Sequence, residues 1–266
     1  MLINNSANHL NHEETHLHNT IRIATFNIHK GVTHFNARFA LHSQREALRK
    51  LQVDVVFLQE VQDVHTLNSK RYAAWPLAGQ VEFLADAVWP EFAYGKNSVY
   101  PAGHHGNALL SKFPIVHTNN QDISAHASEQ RGMLHCKIKV PNWNEPLHTI
   151  CIHFGLFAHW RRQQLETVAS FIEQNVPANA PLIIAGDFND WSMRGGRAFA
   201  KRLQVHEVFE HHTGQSARSF PSWLPILKLD RIYVRGFSVK HAETHSGAHF
   251  IQLSDHALLT ATLIKI

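Results

Sequence analysis

Cysteine is almost missing from this chain: Cys136 and Cys151 are the only two among 266 residues. That is too few for a disulfide framework, and the pair lacks the CxxC spacing of a zinc or redox site, so both are expected to be reduced, buried and inert. Long apolar runs are missing as well. No stretch approaches the roughly 18 uninterrupted apolar residues of a membrane-spanning helix, which excludes a helical transmembrane protein. The opening MLINNSANHLNHEETHLHNT lacks a basic segment followed by an apolar one, does not read as a secretory signal, and makes a cytosolic location the expectation. Acidic groups are scarce. Asp and Glu number 21 against 25 Lys and Arg, a net charge of +4 that hints at a polyanionic partner without requiring one. The 23 histidines outnumber the acids, and since imidazole titrates at about pH 6.5, mild acid should raise the charge steeply.

What is present describes a globular α/β chain. With 44% hydrophobic and 17% charged residues it is neither disordered nor fibrous. Residues 1–20 carry His9, His12, His16 and His18 with almost no apolar periodicity and read as a disordered, His-rich tail. From Ile21 the pattern becomes strand (IRIATFNIH), helix (43–51, with Ala47, Leu48 and Leu51 on one face) and buried strand (53–61). Later, 132–140 and 147–154 flank the turn-rich PNWNEP and predict a hairpin. If the turn is symmetric, Cys136 and Cys151 lie directly opposite each other. A helix over about 160–175 feeds the strand PLIIAGDF at 181–188. Neither a repeat nor a linker follows residue 20, so 21–266 is expected to be one domain.

Several apolar runs stop on a polar residue, and strand ends in α/β folds are where ligand sites collect. TFN ends on Asn27, FLQE on Glu60, and LIIAGDFND brings Asp187 and Asn189, two apart and on one side of an extended chain. SDHALLTATL contributes Asp255 and His256, an acid and an imidazole suited to metal ligation and proton transfer. Asp230 in LDRIYV is a candidate to fix the His256 tautomer. His153 ends TICIHF and Arg131 precedes GMLHC, and both suit phosphate oxygens.

The blocks TFNIH, FLQEV, GNALLSKFPI, RGMLHC, ICIHFG, IIAGDFND, LDRIYV and LSDHALL, in this order across 21–266, resemble the endonuclease/exonuclease/phosphatase superfamily. The resemblance implies a four-layered α/β sandwich, two mixed β-sheets face to face with helices outside, and phosphoester hydrolysis with a divalent metal. It makes Glu60 the principal metal ligand, with Asn27 and Asp255 completing or supporting the shell. That all-oxygen set suits Mg²⁺, with Mn²⁺ as substitute. It further implies that Asp187 orients or deprotonates the attacking water and Asn189 positions the phosphoryl group. His256, oriented by Asp230, stabilises developing charge or relays a proton, and His153 stands on the phosphate side. Asn107 and Arg131 match less strictly as phosphate contacts.

The same chemistry serves DNA, RNA, phospholipids and small phosphoesters. The basic balance and the Trp160, Arg161 and Arg162 group favour a nucleic-acid substrate and nuclease action, by a monomer; a phospholipid or small-molecule phosphodiesterase is the alternative. A non-catalytic binding module on the same fold, or a histidine-rich metal store, would be a different class of protein. The run FPSWLPILKLD at 220–230 is read as a buried connection in preference to an exposed, substrate-facing lip.

Overall fold

A computed structural model describes residues 19–33 and 38–266. Residues 1–18 of the expected tail therefore lie outside the described residues, while Thr20 already belongs to the first strand. The strands of the first sheet are β1 (Thr20–Asn27), β2 (Val55–His65), β3 (Glu91–Tyr100), β4 (Gly103–Ser111), β11 (Phe237–His245) and β12 (Leu258–Lys265), in the order β11-β12-β1-β2-β4-β3. Those of the second are β5 (Ile115–Asp122), β6 (Gly132–Ile138), β7 (Leu147–His153), β8 (Leu182–Asp187), β9 (His206–Glu207) and β10 (Asp230–Arg235), in the order β5-β6-β7-β8-β10-β9. Both sheets are mixed: β1 runs parallel to β2 and β7 parallel to β8, whereas the other pairings are antiparallel.

Period-two alternation sorts the side chains into layers. Ile21, Ile23, Val55, Phe57, Leu109, Cys151, Ile183, Ala185, Ile232 and Val234 meet in the core between the sheets. The opposite phase of each strand packs outward. On the first sheet, Ala24, Phe26, Val56, Leu58 and Leu110 join Leu41, Ala47 and Leu48 of α1 (Leu41–Leu51). On the second, Ile150, Ile152, Leu182 and Ile184 join Leu165, Val168, Ala169 and Ile172 of the long helix at Ala158–Asn175. The four layers expected from the resemblance are therefore present.

The hairpin forms, but in a different register from the expected one. Cys136 faces Thr149 and Cys151 faces Leu134. The reason is an asymmetric connection: β6 ends at Ile138, Lys139 N–H turns to the Pro114 carbonyl, and the Val140 carbonyl accepts from Trp143 N–H. A slip of two residues preserves the face, so both cysteines stay in the inter-sheet core. Both are free and buried, and burial pushes each thiol up to about 12. Among the described residues no helix is long and apolar enough to cross a membrane.

Candidate active site

The alternation that fills the core also builds the site. Asn27 continues the inward phase of Ile21 and Ile23, Asn107 that of Leu109, His153 that of Cys151, Asp187 that of Ile183 and Ala185, and Asp230 that of Ile232 and Val234. Asn107 lies mid-strand, but Asn27, His153, Asp187 and Asp230 each stand at one end of their strands, so polar side chains converge where the apolar core stops. Glu60 is out of phase with Val55 and Phe57. It enters by another route: a break in the β2–β4 register between Leu58 and Val61, with Glu60 itself at φ 57. A non-glycine residue held in the left-handed region costs on the order of 1 kcal/mol, and such strain concentrates at functional sites.

Asp187 is the hub. Its Oδ2 accepts from Asn27 Nδ2 at 3.2 Å and lies 3.5 Å from His153 Nε2 and 3.7 Å from His256 Nε2, while its Oδ1 accepts the Asn189 N–H at 2.9 Å. Asn189 does not extend β8 as the alternation argument assumed. At φ 49 it turns back, and its amide donates to the Phe154 carbonyl at 2.9 Å. On the far side of His256, Nδ1 meets Asp230 Oδ2 at 2.7 Å, and the Phe220 ring packs 5.0 Å away. Asp187, His256 and Asp230 thus form one buried chain of carboxylate, imidazole and carboxylate.

Electrostatics differ sharply along this chain. Burial pushes Asp187 up towards neutrality and Asp230 adds to the shift, with His256 opposing it. For His256 burial alone would lower the pKa; Asp230 and Asp187 outweigh it and raise the imidazole well above its ordinary range. His153 is the opposite case, held neutral by burial and by Arg131. Burial disfavours the Glu60 carboxylate, yet His153, Lys30, His29 and the Asn27 hydrogen bond bring it down to about 2. Lys30 Nζ stands 3.8 Å from Glu60 Oε2.

Glu60 Oε2 is buried and has no hydrogen-bond partner among the described residues. A carboxylate oxygen left in that state fits a divalent cation, with Asn27 supporting Glu60 through a 3.2 Å bond to Oε1. Asn27 turns its amide nitrogen to both Glu60 and Asp187 and its oxygen to the His29 N–H, so here it braces the carboxylates rather than presenting an oxygen. Asp255 pairs with His29 Nδ1 at 3.5 Å. A second metal position is offered by Asp187, Asp230 and His256, whose ligand atoms lie within 4.8 Å of one another. There, Asp230 Oδ2 and His256 Nδ1 are already bonded to each other at 2.7 Å.

Glu60, His153, Asp187, Asn189, His256 and Arg131 line one cleft of about 510 Å³. Asn107 does not line this cleft; it lines a small adjoining pocket with Glu60, Arg131 and His153, and its amide nitrogen is spent on the Gly132 and Cys151 carbonyls, tying the sheets together rather than facing phosphate. Arg131 is bound to the Phe154 carbonyl and to Glu129. Arg161 is buried on the carbonyls of Gly155 and Leu156 and under the Trp191 ring, and Trp160 stacks on His126. The run at 220–230 is not a buried connection: Trp223, Leu224 and Ile226 are each more than half exposed. Sequence reasoning also missed Lys30, beside Glu60, His29, paired with Asp255, and His105, which lines the cleft. The first two directly follow the TFN strand end, which was the available signal.

A family model described as Endonuclease/Exonuclease/phosphatase family matches residues 24–256. The chain belongs to this family of phosphoester hydrolases. It is 41% identical over 244 residues to "Uncharacterized protein YbhP" of Escherichia coli (strain K12), covering 92% of this chain and 96% of that one. Its fold is similar to an endonuclease/exonuclease/phosphatase from Beutenbergia cavernae (TM-score 0.73, 17% identity, 93% of this chain and 72% of that one). It is also similar to the human Nocturnin catalytic domain, solved with bound sulfate (TM-score 0.71, 18% identity, 94% of each chain).

Proposed function

We propose that the chain hydrolyses a phosphodiester by direct attack of water. The observation that carries this reading is Asp187: a buried carboxylate with a raised pKa, held by Asn27 and the Asn189 N–H, 3.7 Å from a charged imidazole and inside an open cleft. A carboxylate poised near neutrality is suited to take a proton from water as the oxygen attacks phosphorus. The imidazolium of His256, fixed by Asp230, gives its Nε2 proton to the departing oxygen. Neutral His153 donates a hydrogen bond to a phosphoryl oxygen, and Asn189 fixes the carboxylate that orients the water. Glu60, braced by Asn27 and with Asp255 beyond His29, would hold Mg²⁺ or Mn²⁺. When bound, such an ion neutralises charge on the phosphoryl oxygens. Ser128 of the cleft lining meets His126 Nδ1 at 2.7 Å, but that pair is exposed and is not part of the buried Asp187–His256–Asp230 chain, which favours water over a covalent intermediate.

The completeness of the set Asn27, Glu60, Asp187, Asn189, Asp230, Asp255 and His256 argues against a binding-only module. The nucleic-acid expectation loses much of its footing, because Arg161 is spent on backbone carbonyls and Trp160 on His126. Two buried, free thiols support the cytosolic reading. The test is a panel of a water-soluble diester, a monoester, single-stranded DNA and RNA, and a phospholipid, each with Mg²⁺ or Mn²⁺. Turnover of the soluble diester is expected; failure on every ester contradicts the proposal.

A further inference from the structure

Three loops rise beside the cleft from the ends of β7, β8 and β10 that carry His153, Asp187 and Asp230. Their tips are apolar and exposed: Leu156 and Phe157, then Trp191, then Trp223, Leu224 and Ile226. Leu156 and Trp191 line the cleft themselves, and so do Phe220 and Leu227, the two ends of the longest tip. This tip is a built feature. The Leu227 and Ile226 N–H groups return to the Phe220 carbonyl at 2.8 and 3.0 Å, while Ser222 donates to the Asp255 and Ser254 carbonyls at 2.7 and 2.6 Å. The Ser222 bonds tie the tip that carries Trp223, Leu224 and Ile226 to the segment carrying Asp255 and His256.

Charge around the rim is one-sided. Segments 154–162, 190–197 and 217–229 contain six lysines and arginines and a single acid, the buried Asp190. Of these cations, Arg162, Arg194 and Arg218 are exposed and Lys228 is half-buried, and none of the four pairs with a carboxylate among the described residues.

We propose that this rim seats on an anionic phospholipid bilayer, with its apolar tips among the acyl chains and its cations at the lipid phosphates, so that the cleft takes its phosphoester from a lipid headgroup. The inference rests on the phosphoester reading above and names its substrate class. Apolar side chains held in water are unfavourable in proportion to their area, and acyl chains relieve that cost while anionic headgroups attract the flanking cations. A nucleic acid fits less well. Leu156, Leu224 and Ile226 have no ring face on which a base could stack.

The test uses the full chain in EDTA, so that binding is read without hydrolysis. Co-flotation is measured with vesicles of phosphatidylcholine alone and of equal parts phosphatidylcholine and phosphatidylglycerol, for the parent and for Trp223→Ser/Leu224→Ser/Ile226→Ser. Unchanged thermal melting establishes that the variant is folded. The parent is expected to bind the anionic vesicles, and the variant to bind them about tenfold or more weakly. No binding by the parent, or equal binding by both, overturns the proposal. Binding of short single-stranded RNA or DNA that the variant loses, without vesicle binding, assigns the rim to nucleic acid and also overturns it. Hydrolysis of a soluble diester by the metal-loaded parent is followed separately. If it fails while vesicle binding is lost in the variant as expected, the reaction is wrong and the membrane surface stands.

Discussion

Asp230→Asn isolates the element that separates an active site from a merely polar cleft. Asp230 is 1% exposed and bonds His256 Nδ1 at 2.7 Å. At an effective dielectric constant of about 20 the attraction between unit charges at that distance is roughly 6 kcal/mol. Part of it offsets the desolvation of both groups, and breaking a buried pair typically costs about 3–5 kcal/mol. Charged against the imidazolium alone, that equals a fall of roughly two to four pKa units for His256. Asparagine keeps the shape and can still accept the Nδ1 hydrogen bond, so the ring should stay in place while its proton becomes easier to lose. The assay is the pH–rate profile of a soluble diester. The parent should lose activity on the acid side as Asp187 protonates, at a pH above the usual carboxylate range, and on the alkaline side as His256 deprotonates. In the variant the alkaline limb should move down by about two units or more, and kcat should fall about 10²–10⁴-fold with KM little changed. An alkaline limb at the parental pH with kcat within about threefold would refute the charge assigned to His256.

Two further outcomes follow from the same structure. Asp187→Asn removes the proposed base and keeps the shape and one acceptor for the Asn189 N–H, while Asn27 Nδ2 loses its acceptor there and keeps the one on Glu60, so kcat should fall about 10²–10⁴-fold with the fold retained; near-parental turnover would dismiss Asp187 as the base. The buried pair His135 and His148, bonded at 3.0 Å, is lowered from the ordinary imidazole value of 6.5 to about 3 and about 4, in each case first by burial. Above the unfolded value neither state takes up a proton there. As pH falls below it the unfolded chain does and the folded chain does not, so stability drops by about 1.4 kcal/mol per pH unit per imidazole until the folded values are reached. Denaturant unfolding between neutrality and pH 4 should show this slope, reduced by one imidazole's share in His135→Gln; parallel curves for parent and variant would contradict it.

The legible parts of the site share one property. Asn27, His153, Asp187 and Asp230 end or begin apolar strands in the phase of the inter-sheet core, so a period of two read along the chain already points them inward. Glu60 was legible as the polar stop of the apolar run FLQE and through the FLQEV block, but its strand runs on to His65, and the bulge that turns it inward leaves no local pattern. Edge strand β5, IVHTNNQD, was missed because almost all of it faces solvent and nothing alternates. The hairpin register failed by two because turn composition does not reveal that Lys139 and Val140 leave the ladder. Most consequential was the run at 220–230. An apolar stretch reads as buried in sequence, yet short backbone bonds close this one into a tip that the core never covers. Arg161 is the mirror case, a cation in sequence that the fold spends on its own carbonyls.

The central claim, that Glu60 anchors a divalent ion on which phosphoester hydrolysis depends, is tested most directly by titrating Mg²⁺ against soluble-diester turnover in the EDTA-stripped parent and in Glu60→Gln. Activity should be absent in EDTA and restored by Mg²⁺ in the parent, with the variant needing about 10–100-fold more metal or failing to recover. Full turnover in EDTA, or the same metal dependence in both proteins, would contradict the account.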